Sequence, residues 1–309
     1  MQALPAIHPR PGLPTRVSVY EVGPRDGLQA EKAVVPLHVK LELIDRLGGA
    51  GLKVIEATSF VSPRWVPQLA DADELMAGLQ RRSGVRYPVL VPNMRGFERA
   101  MAVGADQVAI FVSATESFAQ QNLGTTLQGA IEMAAQVVAA AHVRGIPVRG
   151  YVSMCFGDPW EGRVDPGRPA DVAARLIELG CSTISLGDTI GVATAGQVVD
   201  VLDRVEAVGV PRNRIALHLH DTYGQALANV LAGLEAGITE FDSAAGGLGG
   251  CPYAKSATGN LASEDLVWML DGLGIDTGIE LPALVQTSRW LATELGRPSP
   301  SRVVAALGS

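Results

Sequence analysis

A regular alternation of short apolar runs with longer helical patterns constrains this chain more than any other feature. Eight runs rich in β-branched residues recur at intervals that leave room for one helix between each pair. The eight predicted strands span 16–22, 53–58, 86–92, 106–113, 147–154, 182–188, 214–220 and 240–245. Eight repeats of a strand followed by a helix favour an α/β fold of the (β/α)8 or TIM-barrel type, in which helices surround a closed parallel sheet.

Glycines mark the helix ends between these strands. Segments 37–51 and 127–145 have helical periodicity, and several helices end in a glycine just before the next strand, as helix C-termini prefer. A doubly wound sheet is the structural alternative. It usually carries a GxGxxG turn after its first strand, whereas this chain has "VYEVGPRDG" there. The barrel is therefore favoured.

The domain organisation predicted from these patterns is simple. Residues 1–16 form an N-terminal tail, and 17–309 form a single catalytic barrel. Segments 262–274 and 279–296 follow the eighth strand and are predicted to be additional C-terminal helices, within a region of about 262–309. A chain of 309 residues is compatible with one large fold of this type.

Charge and composition exclude several classes of function. The formal net charge of −7, without a basic run, argues against a nucleic-acid partner. No apolar run is long enough to cross a bilayer, so no membrane partner is expected. The three cysteines are an odd number at wide spacings, which argues against a disulfide framework. Without a recognisable signal or transit segment, we expect a cytoplasmic protein.

The histidine pair in "ALHLHD" is the first candidate for chemistry. His218 and His220 are two of only five histidines, and residues two apart on a strand share a face. If they point into the barrel mouth, they could bind one divalent metal ion. The alternative is a pair of hydrogen-bonded core histidines, because an isolated HxH motif is weak.

The turn after the first strand supplies two more candidates. Asp26 lies in "GPRDG", where proline and glycines would fix its direction, so it is either a carboxylate ligand or a turn cap. Arg25 beside it could hold an oxygen that becomes negatively charged during a reaction. Gln29 completes the same segment.

A glycine-rich stretch, "SAAGGLGGCPYAKSATGN", follows the eighth strand. Its glycines would let the backbone approach a ligand closely or move as a lid, and Cys251 lies near the middle of the stretch. Cys251 could be a general acid or base, or merely an exposed thiol. Asn260 could bind a metal through its amide oxygen, or could cap the following helix. Further polar residues stand at other strand ends: Glu56, Ser59, Ser185 and Asp188.

Several of these segments resemble one known family. "EVGPRDGLQ", "EATSFVSPRWVPQLAD", "SLGDTIG", "HLHDTYGQALAN" and "GGLGGCPYAKSATGN" are similar to segments of the 3-hydroxy-3-methylglutaryl-CoA lyases, metal-dependent carbon–carbon lyases with a (β/α)8 barrel. The similarity runs from about residue 17 to about residue 303.

This resemblance implies an activity and a set of roles. The expected reaction is the retro-Claisen cleavage of 3-hydroxy-3-methylglutaryl-CoA, an acyl-CoA substrate, to acetyl-CoA and acetoacetate with Mg²⁺ or Mn²⁺. The resemblance places the metal ligands at Asp26, His218, His220 and Asn260. It places catalytic groups at Arg25, Asp26, Glu56 and Cys251, and substrate-binding groups at Gln29, Ser59, Ser185 and Asp188. It also implies a homodimer.

Three points remain open from the sequence. Asp26 is the first choice for the proton acceptor, with Glu56 or a bound water as the alternatives because a metal ligand has reduced basicity. The substrate could be a longer analogue with an isohexenyl side chain, since apolar pocket residues would decide that. The direction of the reaction is the third open point. The chain could be a Claisen-condensing synthase of the isopropylmalate or homocitrate type, although the cysteine loop argues against this.

Overall fold

The strands form one sheet that closes on itself. A computed structural model describes residues 5–250 and 259–307 of the chain. The strands are β1 Ser18–Glu21, β2 Val54–Ile55, β3 Thr58–Ser59, β4 Val89–Leu90, β5 Val108–Ser113, β6 Val148–Ser153, β7 Gly157–Asp158, β8 Gly162–Arg163, β9 Thr183–Asp188, β10 Ile215–Leu219 and β11 Glu240–Ser243. Strands β7 and β8 form a small separate antiparallel hairpin after β6. All pairings in the main sheet are parallel, in the order β2-β1-β11-β10-β9-β6-β5-β4-β3.

The barrel closes through the second predicted strand. This strand consists of β2 and β3, which pair with β1 and β4 respectively. Between them the backbone N–H of Glu56 donates to Glu21 O at 2.8 Å, and that of Ala57 donates to Pro88 O at 2.9 Å. The hydrogen bonding is thus continuous on both sides, and the predicted (β/α)8 barrel is confirmed.

Helices cover the outside of the barrel and continue beyond the last strand. They are α1 Leu37–Gly49, α2 Ala72–Gly78, α3 Met94–Ala102, α4 Glu116–Phe118, α5 Leu127–Val143, α6 Gly167–Leu179, α7 Ala195–Ala207, α8 Ala226–Glu235, α9 Ser263–Gly272, α10 Leu281–Glu294 and α11 Arg302–Leu307. The two predicted C-terminal helices correspond to α9 and α10. The structure adds α11, in a proline-rich segment where no helix was predicted.

One hydrophobic core joins the barrel and the C-terminal helices. Strand residues such as Val152 and Leu217 belong to the same buried cluster as Leu284 of α10 and Val304 of α11. This shared core supports the assignment of 17–309 to one domain, which stays a prediction. Within the described ranges, no helix has the length and apolar character needed to span a membrane.

Candidate metal centre and active site

The two histidines at the carboxyl end of β10 face each other, with His218 in the strand and His220 one residue beyond it. His218 and His220 are both buried, and their Nε2 atoms are 3.2 Å apart. The strand residue before them faces the helices instead: Leu217 Cδ1 lies 2.7 Å from where a Cβ on Gly233 of α8 would be. The period of two along a strand therefore directs both imidazoles into the barrel.

Asp26 approaches this pair from the turn after β1. The residues Gly23–Gly27 form one π-helical turn, in which the N–H groups of Asp26 and Gly27 both donate to Val22 O, at 2.8 and 3.1 Å. Asp26 Oδ2 lies 4.0 Å from His218 Nε2. One ligand atom from each of Asp26, His218 and His220 lies within 4.8 Å of the other two. Such separations suit a single ion bound at about 2.0–2.2 Å from each atom.

Asn260 joins the site beside Asp26. Its backbone pairs with His220, and its Nδ2 donates to Asp26 Oδ2 at 2.9 Å and to Leu248 O at 3.0 Å. Its Oδ1 is buried and has no hydrogen-bond partner among the described residues. A buried amide oxygen without a partner costs free energy, and a bound cation would satisfy it. The donor set of two imidazoles, one carboxylate and one amide oxygen thus fits a divalent metal.

Arg25 links the metal centre to a second carboxylate. Its Nη1 donates to Asp26 Oδ1 and its Nε donates to Glu56 Oε2, both at 2.7 Å. Glu56 also accepts a hydrogen bond from Tyr151 Oη at 3.3 Å, and its Oε1 is buried without a partner in the described part of the chain. The guanidinium is therefore fixed in position beside the candidate ligand.

The pKa values of the two carboxylates next to Arg25 are shifted in opposite directions. Burial alone would raise the pKa of Asp26, but the charges of Arg25, His218 and His220 outweigh it and lower the value to about 2. Burial raises the pKa of Glu56 despite its contact with Arg25. Asp26 therefore stays ionised, as a metal ligand must be, while Glu56 holds a proton more readily.

Behind His218 lies a group of polar side chains, of which the sequence had singled out only Ser185. His218 Nδ1 is 3.2 Å from Asp242 Oδ2, and the same oxygen accepts a hydrogen bond from Ser185 Oγ at 2.9 Å. Asp242 Oδ1 accepts from Arg149, which also pairs with Glu240. An aspartate inside the strand segment "EFDSAA" was the available signal.

The other predicted substrate-binding residues lie in different environments. Both carboxylate oxygens of Asp188 accept backbone N–H groups, from Val192 and Ala193, so Asp188 also orders the loop after β9. Ser59 is buried at the end of β3, and Gln29 is exposed. Cys251 lies outside the described residues.

Two buried glutamates hold the start of the glycine-rich segment. Glu21 Oε1 accepts the backbone N–H groups of Gly23 and Ala245, at 2.8 and 2.9 Å. Glu264 accepts the N–H of Gly246, at 2.9 Å from Oε2, and a hydrogen bond from Ser288. These contacts tie the turn that carries Asp26 and the glycine-rich segment to one framework.

A closed barrel with a candidate two-histidine, one-aspartate metal site and a buried arginine at the carboxyl ends of its strands defines a class of metal-dependent barrel enzymes. Within that class the chain belongs to the HMGL-like family, whose sequence model matches residues 16–291. The resemblance expected from the sequence motifs is thereby confirmed.

Named relatives cover nearly the whole chain. It is 52% identical over 294 residues to the mitochondrial hydroxymethylglutaryl-CoA lyase of Rattus norvegicus, covering 95% of this chain and 90% of that one. It is similar to the crystal structure of hydroxymethylglutaryl-CoA lyase from Pseudomonas aeruginosa, with 49% identity, a TM-score of 0.93 and coverage of 96% and 98%. An HMG-CoA lyase from Acinetobacter baumannii, solved with coenzyme A and 3-methylmalate, matches with 37% identity, a TM-score of 0.90 and coverage of 94% and 95%.

Proposed function

We propose that this chain cleaves 3-hydroxy-3-methylglutaryl-CoA to acetyl-CoA and acetoacetate. The observation that carries the proposal is the convergence of Asp26, His218 and His220, with ligand atoms within 4.8 Å of one another and Arg25 bonded to Asp26. Relatives about 50% identical over most of their length bear the name of this lyase. The substrate thus belongs to the acyl-CoA thioesters.

The metal would be held by Asp26, His218, His220 and Asn260 Oδ1, and we propose Mg²⁺ or Mn²⁺. A divalent cation in such a site supplies Lewis acidity, which lowers the pKa of a coordinated hydroxyl group. The buried, ionised carboxylate and the two imidazoles give a donor set that accommodates either ion.

Arg25 would stabilise the negative charge that develops on the thioester oxygen as the carbon–carbon bond breaks. Its contacts with Asp26 and Glu56 use Nη1 and Nε, which leaves other N–H groups of its planar fork to donate to a substrate. Because both carboxylates fix the guanidinium before the substrate arrives, little reorganisation is needed during the reaction.

Proton transfers complete the proposed reaction. The tertiary hydroxyl must lose its proton, and Asp26, Glu56 or a bound water could accept it. The pKa of Asp26, about 2, makes that carboxylate a weak base, whereas the raised pKa of Glu56 favours proton acceptance. Cys251 would then donate a proton to the enolate carbon, which yields acetyl-CoA.

Product analysis tests the proposal directly. Purified protein is incubated with 3-hydroxy-3-methylglutaryl-CoA, and in parallel with its isohexenyl analogue, each with Mn²⁺ and with excess chelator. We expect acetyl-CoA and acetoacetate from the first substrate and none after chelation. Faster turnover of the analogue would show the longer-chain specificity. A third incubation supplies acetyl-CoA and an oxo acid, and condensation there, with no cleavage in the other two, would indicate a synthase.

Compartment and assembly are also proposals. Relatives of similar identity are named both mitochondrial and cytoplasmic, and we propose the cytoplasm for this chain. We further propose a homodimer, which light scattering after size-exclusion chromatography would measure. The absence of a nucleic-acid partner stays a prediction from the charge of −7.

A further inference from the structure

His218 contacts a buried carboxylate on its side away from the candidate ligands. In the parallel pairing of β10 with β11, His218 stands directly beside Asp242. Its Nδ1 is 3.2 Å from Asp242 Oδ2, while its Nε2 faces His220 and Asp26. One ring nitrogen therefore points at a carboxylate and the other into the candidate metal centre.

Asp242 is itself fixed on every side. Arg149 donates to its Oδ1, and Ser185 Oγ donates to its Oδ2 at 2.9 Å. The Arg149 guanidinium lies 4.1 Å from the centroid of the Tyr20 ring, and Arg149, Asp242 and Ser185 are each no more than 2% exposed. Oδ1 thus accepts from the guanidinium and Oδ2 from the serine hydroxyl.

We infer that Asp242 is a positioning residue of the metal centre, which holds the proton of His218 on Nδ1 and so leaves the Nε2 lone pair for the cation. An anionic acceptor beside Nδ1 favours the tautomer that carries its proton there. The inference deepens the proposed function and rests on its metal site, but Asp242 itself has no role in the proposed reaction.

The substitution Asp242→Asn keeps the shape of the side chain at this position but replaces one acceptor oxygen with a donor nitrogen. Arg149 is only a donor, so the single oxygen of an asparagine at 242 would stay with Arg149. The amide nitrogen would then donate to His218 Nδ1 and shift the imidazole proton to Nε2, where it blocks the metal. The reverse orientation would leave two buried donors facing each other, which is unfavourable.

The matched control is Glu240→Gln. Glu240 lies two residues earlier on β11, pairs with the same guanidinium, and is not within hydrogen-bonding distance of His218 in the described contacts. Mn²⁺ affinity is measured by electron paramagnetic resonance on the full chain. We expect Asp242→Asn to weaken binding by about 10- to 100-fold and Glu240→Gln by less than about threefold.

The position of the imidazole proton gives a second readout that does not depend on metal. ¹⁵N chemical shifts of the metal-free protein at alkaline pH should show the His218 proton on Nδ1 in the unsubstituted chain and on Nε2 in Asp242→Asn. A proton on Nε2 in the unsubstituted chain would overturn the inference even if the variant fails to fold. Equal Mn²⁺ affinity of the unsubstituted chain and Asp242→Asn would also overturn the inference. If the unsubstituted chain bound no Mn²⁺ at all, the proposed metal centre would be overturned as well.

Discussion

Individual side chains at the mouth of this barrel have separable tasks. In the proposed metal centre the imidazoles of His218 and His220 would supply ligand atoms, and Asp26 would supply a charged ligand. Arg25 pairs with the carboxylates of Asp26 and Glu56 and is not itself a candidate ligand, so its substitution should affect catalysis without removing a ligand. These differences can be tested one residue at a time.

Replacing His220 by alanine should weaken Mn²⁺ binding by more than about 100-fold, because it removes a ligand rather than an outer partner, whose loss typically costs about 10- to 100-fold. Electron paramagnetic resonance titration measures the affinity. His142→Ala, at an exposed position of α5, is the control and should bind as the unsubstituted chain does. Unchanged affinity in His220→Ala would contradict the assignment of this residue as a ligand.

Replacing Arg25 by lysine should lower kcat by about 100- to 1000-fold, the usual cost of losing one donor to a developing oxyanion. An ammonium group cannot reproduce the fork that bonds Asp26 and Glu56 together. Mn²⁺ affinity should change little. Steady-state kinetics with 3-hydroxy-3-methylglutaryl-CoA gives the measurement, with Arg46→Lys, at an exposed pair with Glu42, as control. A loss of metal affinity equal to the loss of kcat would mean that Arg25 mainly shapes the site.

The candidate ligands could be found from the sequence, whereas their supporting residues could not. His218, His220 and Asp26 stand at strand ends, where donor types alone suggest metal binding. Asp242 acquires meaning only through the pairing of β10 with β11, which places it beside His218. Register between strands distant in the chain is set by the closed sheet and leaves no local pattern.

At the scale of elements, the glycine-rich segment after β11 packs closely against the candidate ligand Asn260. Gly249 has a φ of +114°, and a Cβ there would lie 2.5 Å from Asn260 Nδ2. Gly259 allows a similar approach, since its Cβ would lie 2.0 Å from Gly247 O. The segment therefore needs glycine both for its backbone angles and for its proximity to a candidate ligand.

The substitution Gly249→Ala should weaken Mn²⁺ binding, because the added methyl group would displace the Asn260 amide. Gly209→Ala is the matched control: its φ is +91°, but a Cβ there meets no atom within 4 Å. Both variants should lose about 1 kcal/mol or more of stability from backbone strain, measured by urea denaturation. The idea fails if the two variants bind Mn²⁺ equally well.

The raised pKa of Glu264 should make the stability of the chain depend on pH. Burial raises its pKa from 4.5 to about 8, although its hydrogen bonds with Ser288 and Gly246 oppose the shift. Between these values the folded chain retains a proton that the unfolded chain has lost. The contribution of this group to the free energy of unfolding is therefore greatest below pH 4.5 and falls as the pH rises towards 8, by up to about 1.4 kcal/mol per pH unit.

The measurement is urea denaturation over this pH range for the unsubstituted chain and for Glu264→Gln, which carries no titratable group there. The stability difference between the two should shift steadily in favour of the variant as the pH rises, and level off above pH 8. Parallel curves would show that Glu264 is ionised throughout, with its backbone and Ser288 donors outweighing burial.

Element boundaries departed from the sequence prediction where prolines or contacts between distant segments decided them. The predicted strand 86–92 is reduced to β4, because Pro88 and Pro92 flank it and neither has an N–H to donate. Helix α11 was missed because prolines precede it. Its start is stabilised by Asp265 of α9, whose Oδ1 accepts the N–H of Val303 at 2.9 Å. Such a contact between distant segments cannot be read locally.

At the scale of the whole molecule, alternation along each strand divides stability from function. Inward residues such as His218 form the site, while their outward neighbours pack against helices and belong to the continuous core. The repeated strand–helix pattern made the barrel predictable. The closure through the short strands β2 and β3 was not, because it depends on hydrogen bonds made at Glu56 and Ala57.

Because inward and outward residues have different roles, we expect opposite effects on stability and metal binding from substituting two adjacent residues of β10. Leu217→Ala removes a fully buried side chain that packs on α8, so the free energy of unfolding should fall by about 2–5 kcal/mol while Mn²⁺ affinity stays within about threefold. His218→Ala should abolish tight Mn²⁺ binding and lower stability less. Urea denaturation and paramagnetic resonance on the same samples measure both quantities. If Leu217→Ala lost metal affinity in proportion to its loss of stability, the packing outside the barrel and the metal site inside it would be coupled. Relaxation of the helix layer would then move the imidazoles through the strand that carries them.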